Sequence, residues 1–275
     1  MQIKTLATLL LCLSAGQVLA NDAGDNFLER NQAEQLTQED QEARRIIRLS
    51  DRVRSPDAPY RSTLTLLEHK DGKALMDREQ VLDVSMRFYK PSERRDKGDA
   101  RALVRFLSPV RDKGKGLLSD FYKMWYYSPD LRRPIPIAKQ QRLMGQVANG
   151  DVVAADFDYS YLSKLQGEEA CGDKQCYKLS LERRWPYVTY PAITFWVEKE
   201  TYRPYRADFL SSTGLLIKRA YYKDYRPALG GARPHQMVIE DALRKDVYTT
   251  ITYSNFTFES LPESYFQKEY LMRME

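Results

Sequence analysis

Leu82-Asp83-Val84-Ser85-Met86-Arg87-Phe88-Tyr89 alternates apolar and polar residues without a break. A β-strand projects successive side chains to opposite faces, so this stretch reads as a strand with one apolar and one polar face. Upstream, Tyr60 to His69 is also strand-like, and Asp71-Gly72 between the two runs is a turn dipeptide, giving a long hairpin that reaches Tyr89. Downstream, Ala102, Val104 and Phe106 form the next strand up to Pro109, and Arg111 to Gly116 makes a charged turn. Leu117 to Tyr127 reads as one further strand ending in Trp125-Tyr126-Tyr127. Pro134 and Pro136 exclude Leu131 to Ile137 from a central strand.

Outward from this core the pattern changes twice. Lys139 to Phe157 is irregular, with Leu143-Met144-Gly145 and Asn149-Gly150-Asp151 suggesting turns rather than a strand, and Tyr159 to Leu165 reads as a short helix leading to Gly167. Strands then resume over 175–184, 192–198, 205–210, 215–222, 234–242 and 247–258, with Thr213-Gly214 marking a hairpin. Before the first strand, Ala43, Ile46, Ile47, Ser50 and Val53 fall at helical spacing, behind a capping-box pattern at Thr37 to Asp40 and ahead of Pro56. Ser260 to Glu263 resembles a second capping box and predicts a short C-terminal helix ending near Leu271. About eleven strand-like runs joined by short turns predict an antiparallel meander in one domain. A sheet of this size must curl, and what fills its inner side becomes the functional question.

Composition narrows the answers. The 275 residues are 43% hydrophobic and 12% aromatic, with 19 Tyr against 13 Gly and 13 Pro, which favours strands and excludes a disordered chain. The formal net charge is +5 with both signs interspersed, which argues against a nucleic-acid partner. Met1 to Lys4, an apolar run from Thr5 to Ala15 and Val18-Leu19-Ala20 predict a signal peptide over 1–20 cut after Ala20, followed by a flexible lead-in over 21–36 and a folded domain over 37–275. The protein is therefore expected outside the cytoplasm, where Cys171 and Cys176, with turn residues between them, are expected to form a structural disulfide across a hairpin loop rather than a redox site.

Catalytic patterns are weak. His69 and His235 lie in different strand-like runs, no Gly-x-Ser-x-Gly or His-Glu-x-x-His occurs, and Gly114-Lys115-Gly116 lacks the rest of a phosphate loop. Two histidines and a cystine leave few metal ligands, so neither metal, cofactor nor enzymatic activity is expected. The recurring feature is apolar and aromatic residues along the strands. They predict a cavity suited to acyl chains, for which we name Val84, Met86, Phe88, Val104, Phe106, Trp125, Tyr127, Met144, Phe157, Phe195 and Phe209. A core filled by these same side chains is the alternative.

The motifs themselves resemble a known family. Trp125-Tyr-Tyr-Ser-Pro-Asp-Leu-Arg-Arg133 is similar to a Trp-x-Tyr-x-Pro-x-x-x-Arg stretch of outer-membrane lipoprotein-sorting proteins of the LolA-like superfamily. Gln141 to Gly145, Asp156-Phe-Asp-Tyr159, Tyr202-Arg-Pro204, Gly214 to Lys218, Tyr222 to Tyr225, Gly230-Gly231, Pro234, Met237 and Phe256 to Phe266 follow in the family's order, with Ala154-Ala155 standing where Ser is usual. The resemblance implies a mainly β fold: a single unclosed, strongly curved antiparallel sheet, or half-barrel, with an N-terminal helix and short helices over its concave side. It also implies a monomeric periplasmic carrier that shields acyl chains of a lipid or lipoprotein and touches membranes transiently. The subgroup it resembles accompanies RND-type (MMPL-like) inner-membrane exporters, so such a transporter is an expected partner. An envelope adaptor that docks on the exporter through Arg111 to Lys115 and Arg132-Arg133, and carries nothing, is the competing expectation.

Overall fold

The order of strands explains how the inner side of the sheet comes to be covered. The computed structural model describes residues 38–88, 100–120, 123–153 and 156–274, with only the backbone described for 38–40 and for Phe88. The expected leader and lead-in, Thr37, Tyr89, Phe121 and Ala154-Ala155 lie outside the described residues. Helix α1 spans Gln38–Arg54. The strands are β1 Tyr60–Lys70, β2 Lys73–Ala74, β3 Gln80–Phe88, β4 Ala100–Ser108, β5 Gly116–Asp120, β6 Lys123–Tyr127, β7 Ile135–Ile137, β8 Arg142–Met144 and β9 Val147–Ala148. After helix α2, Phe157–Ser160, come β10 Tyr161–Cys171, β11 Lys174–Arg183, β12 Ala192–Glu198, β13 Pro204–Leu210, β14 Leu216–Ala228, β15 Gly231–Asp241 and β16 Val247–Phe258.

One large antiparallel sheet runs in the order β10-β11-β12-β13-β14-β15-β16-β1-β3-β4-β5-β6-β7, with β2 paired to β1, and does not close into a barrel. Each half is a meander. The two halves join where β1 lies beside β16, with Leu64 opposite Tyr253 and Leu66 opposite Ile251. Consequently β7 and β10, consecutive large-sheet strands in the chain, stand at opposite edges. The chain between them, residues 138–160, crosses the inner face as a strap. This strap carries the small β8–β9 hairpin, a 3-10 turn at Asn149–Val152 and α2.

The inner face is the main core. Leu64, Leu82, Val84, Met86, Val104, Phe195, Phe209, Ala220 and Ile251 meet Ala43, Ile46 and Ile47 of α1, and Met144, Val147, Val152 and Phe157 of the strap. The α1 stripe lands where the spacing predicts, with Ser50 also buried. The C-terminus of α1 is held by Arg233, whose Nη1 donates to the Val53 carbonyl at 3.1 Å.

The outer face has its own cover. Phe266 and Leu271 pack on Leu103 and Leu118, with Trp125 and Tyr127 beside them. The expected C-terminal helix is instead two 3-10 turns, Glu263–Phe266 and Lys268–Arg273, and neither has a side-chain cap. Their two anchors lie five residues apart, a spacing that does not place them on one face of an α-helix. Because the outer face is covered, the polar side of the β3 alternation is also buried. Asp83 is held between Arg61 and Arg105, Nε of the latter at 2.9 Å.

Three further expectations are corrected. Leu117 to Tyr127 is two strands, with Asp120 opposite Lys123. The 139–157 region contains the β8–β9 hairpin, whose turn places Gly145 at φ 50°. Tyr161 to Leu165 belongs to edge strand β10, and only Phe157–Ser160 is helical. The disulfide joins Cys171 to Cys176 across the β10–β11 turn, where Trp196 covers it.

Candidate functional site: the inner cavity

Between sheet and strap lies a cavity of about 100 Å³. Its apolar wall is Leu64, Val84, Met86, Phe209 and Met237 from the sheet, with Val152, Val153 and Phe157 from the strap. A second cavity of about 50 Å³ shares Met86, Val153 and Tyr161 with it and reaches Ala102 and Lys139. Burial pulls the Lys139 amine down to about 8. The main cavity holds a few waters or a short stretch of chain, and is smaller than the several hundred Å³ that a whole ligand of drug size fills.

At the rim of this wall Asp151, Tyr190 and Lys218 satisfy one another. Asp151 on the strap accepts from the Tyr190 hydroxyl at 2.7 Å, from the Ala148 amide at 2.8 Å and from Lys218 Nζ at 3.1 Å. Lys218 also donates to the Gln146 carbonyl at 2.6 Å. Burial first, and then the Asp151 charge, push the Tyr190 hydroxyl well above its ordinary value, so it stays a donor. Tyr190 stacks on Phe209 with ring centres 4.0 Å apart. Phe157 meets Phe195 and Tyr161 edge-on at 5.3 and 5.4 Å.

At the other end Arg54 of α1 lies over the Phe157 ring, 3.8 Å from its centre, and is paired with Asp51. Asp51 accepts the Asp158 amide at 2.9 Å, and Asp158 in turn accepts Arg44 at 2.6 Å and Arg48 at 3.2 Å. Asp156 caps α2 by accepting the Tyr159 amide at 2.9 Å. Burial pushes the Asp51 carboxyl up to about 7, against the pull of Arg54, and burial raises Asp156 too. This cluster latches α1 to the strap.

Of the residues named from sequence, Val84, Met86, Phe157 and Phe209 line the main cavity. Val104, Phe106, Met144 and Phe195 lie in the same apolar cluster without lining it. Trp125 and Tyr127 depart from expectation and face outward, because Met124 takes the inner position of β6 and the next residue must point the other way. The Phe88 side chain lies outside the described residues. Sequence reading missed Arg54, Tyr60, Asp151, Tyr190, Tyr222, Met237 and Tyr253. The excess of Tyr was the compositional signal for Tyr60, Tyr190, Tyr222 and Tyr253. His69 stacks on Tyr248 away from the cavity lining, whereas His235, not itself a lining residue, meets the lining residue Phe256 edge-on. Among the described residues no group of three His, Cys, Asp or Glu is placed to hold a metal.

A family model described as "Uncharacterized protein" matches residues 98–273, more than half of the chain. The chain belongs to this family. No curated protein matches it. Among solved structures, a LolA superfamily protein from Nitrosomonas europaea is 28% identical, with a TM-score of 0.72 over 83% of this chain and 98% of that one. A DUF1329 family protein from Desulfovibrio piger is 22% identical, with a TM-score of 0.72 over 86% and 100% of the two chains. A domain assigned to outer-membrane lipoprotein sorting from Vibrio parahaemolyticus is 18% identical, with a TM-score of 0.71 over 85% and 100%. The LolA-like resemblance read from the motifs is thereby borne out, and with it the open antiparallel sheet with an N-terminal helix.

Proposed function

We propose that this protein is a periplasmic carrier, not an enzyme, that shields acyl chains of a lipid or lipoprotein against the inner face of its sheet. The observation that carries the reading is the cavity itself. Leu64, Val84, Met86, Phe209 and Met237 of the sheet face Val152, Val153 and Phe157 of the strap across it, and the charged pair at its rim, Asp151 and Lys218, is satisfied together with Tyr190. An acyl chain brings no hydrogen-bonding needs and gains about 0.8 kcal/mol per buried methylene, so such a wall suffices to hold it. The fold shared with the Nitrosomonas europaea LolA superfamily protein and with the lipoprotein-sorting domain fits this reading. Among the described residues no helix is long and apolar enough to cross a membrane.

The present volume admits only part of a chain. A whole acyl group enters as α1 and the strap lift from the sheet, with the Asp51–Arg54–Asp158 latch opening first. In this reading the leader over 1–20 is removed on export, the domain over 37–275 works as a monomer, and an RND-type exporter is its partner at the inner membrane. Val84, Met86, Phe157 and Phe209 contact the acyl chain.

The test is mass spectrometry of organic extracts from protein purified from the periplasm. Acyl lipid near one equivalent per protein is expected. Protein that comes without lipid, and takes up neither fatty acid nor phospholipid when incubated with them, would overturn the reading.

A further inference from the structure

Large apolar side chains left in water are not scattered evenly over this molecule. The four most exposed among the described residues are Val110 at 81%, Leu243 at 79%, Met76 at 63% and Leu215 at 61%. All four stand on connections between strands, and the register places those connections at one end of the sheet. The β13–β14, β15–β16, β1–β3 and β4–β5 connections are successive along that edge. Leu215, Leu243, Met76 and Val110 each occupy one of them. The Asp71 amide donates to the Asp246 carbonyl at 3.0 Å, which joins the two middle connections directly. Strands lie about 4.8 Å apart, so successive connections are about 10 Å apart and the four together span about 30 Å.

Single exposed apolar residues are ordinary, but one on each of four consecutive loop tips makes a row. Cations flank it. Exposed Arg111 and Lys113 follow Val110, Lys245 follows Leu243 by two positions, and Arg132-Arg133 stand on the next connection, β6–β7. The β1–β3 connection carries Asp71, Asp77 and Glu79 against Lys73 and Arg78, and the β13–β14 tip carries no charge, so the positive excess lies on the β4–β5, β15–β16 and β6–β7 tips. Apolar tips among lysines and arginines match the boundary of an anionic bilayer, where acyl chains lie just beneath negative headgroups.

We infer, independently of what the cavity holds, that this end of the sheet is the surface with which the protein touches an anionic lipid membrane. Four short tips on a rigid sheet enter only the headgroup region, so contact is shallow and reversible.

The test is sedimentation of the exported protein with vesicles of phosphatidylglycerol and phosphatidylcholine. The protein binds mixed vesicles, binds pure phosphatidylcholine more weakly, and loses affinity as salt rises. A combined Val110→Ser, Leu215→Ser, Leu243→Ser variant retains its thermal unfolding midpoint but partitions at least ~tenfold more weakly, since three inserted side chains are lost. Phe258→Ser, at the opposite end of the sheet, binds as the parent does. No vesicle binding by the parent protein would overturn the inference and leave the row to a protein partner. Unchanged binding by the triple variant, or an equal loss in Phe258→Ser, would overturn it as well. Neither result bears on lipid found in the cavity, which organic extraction reads separately.

Discussion

Lys218 Nζ lies 3.1 Å from Asp151 Oδ2, an ion pair between the middle of the sheet and the strap that crosses it, with both side chains more than nine-tenths buried. It fixes the strap at the height where Val152 and Val153 close the cavity. Removing one partner of such a pair leaves a buried charge uncompensated. Lys218→Met is expected to lower stability by about 3 kcal/mol, and adding Asp151→Asn to recover part of that loss. Urea unfolding of both variants checks this; an unchanged midpoint for Lys218→Met would show that the pair does not secure the strap.

The latch between α1 and the strap makes stability depend on pH. Asp51 titrates at about 7 in the folded protein and near 4 when unfolded, so the folded state binds more protons in between. Stability contributed by the protonated group is full below about pH 4 and is lost as pH rises toward 7, at up to about 1.4 kcal/mol per pH unit. Asp156 acts in the same direction. The lowered carboxyls Glu42, Glu169 and Asp241 act oppositely, but at more acid pH. Thermal melts from pH 4.5 to 7.5 should show falling stability that Asp51→Asn flattens; a rise with pH across that window contradicts the assignment.

The disulfide closes a loop of only a few residues, with a sequence separation of 5. A loop this short restricts the unfolded chain modestly, and Cys171→Ser with Cys176→Ser is expected to cost about 2 kcal/mol while leaving lipid uptake intact. Denaturation together with a lipid-binding measurement separates the two. Loss of uptake at unchanged stability would tie this hairpin to the cavity.

Filling the cavity should block cargo without unfolding the protein. Met237→Trp puts an indole into the cavity that Val84 and Phe209 also line, at about 1–3 kcal/mol of overpacking, and is expected to abolish uptake of a fluorescent fatty acid. Trp125→Ala, on the outer face, is expected to lower stability and leave uptake unchanged. Equal uptake by Met237→Trp and the parent would place the ligand elsewhere.

How much of this was legible depended on whether each element carried its own periodic pattern. The β3 alternation placed Val84 and Met86 correctly on the inner face, and β12 and β16 were found with the observed bounds. Edge strand β10 reads as a helix because only one side of it is paired and its half-buried positions, Ser163, Leu165, Gly167 and Glu169, are mostly not apolar, so the alternation in burial is not one in hydrophobicity. The strap was visible only as irregularity. Its hairpin arms are three and two residues long, too short for any period, and what orders them is the sheet beneath, including Thr249 Oγ1, which accepts the Gln146 amide at 2.9 Å. Trp125 and Tyr127 were misassigned because both faces of β5 and β6 are covered, so hydrophobicity did not mark which side is inner. The polar lining was hidden for another reason: Arg54, Asp151 and Tyr190 come from three distant segments and acquire meaning only once the strap has crossed.

The central claim is that acyl chains lie between sheet and strap. It is tested most directly by a fatty acid carrying a photoreactive diazirine midway along its chain, irradiated with the purified protein and mapped by peptide mass spectrometry. Adducts on Val84, Met86, Phe157, Phe209 or Met237, suppressed in Met237→Trp, are the predicted result. Adducts confined to the outer face around Trp125 and Leu271, or none at saturating ligand, would contradict it.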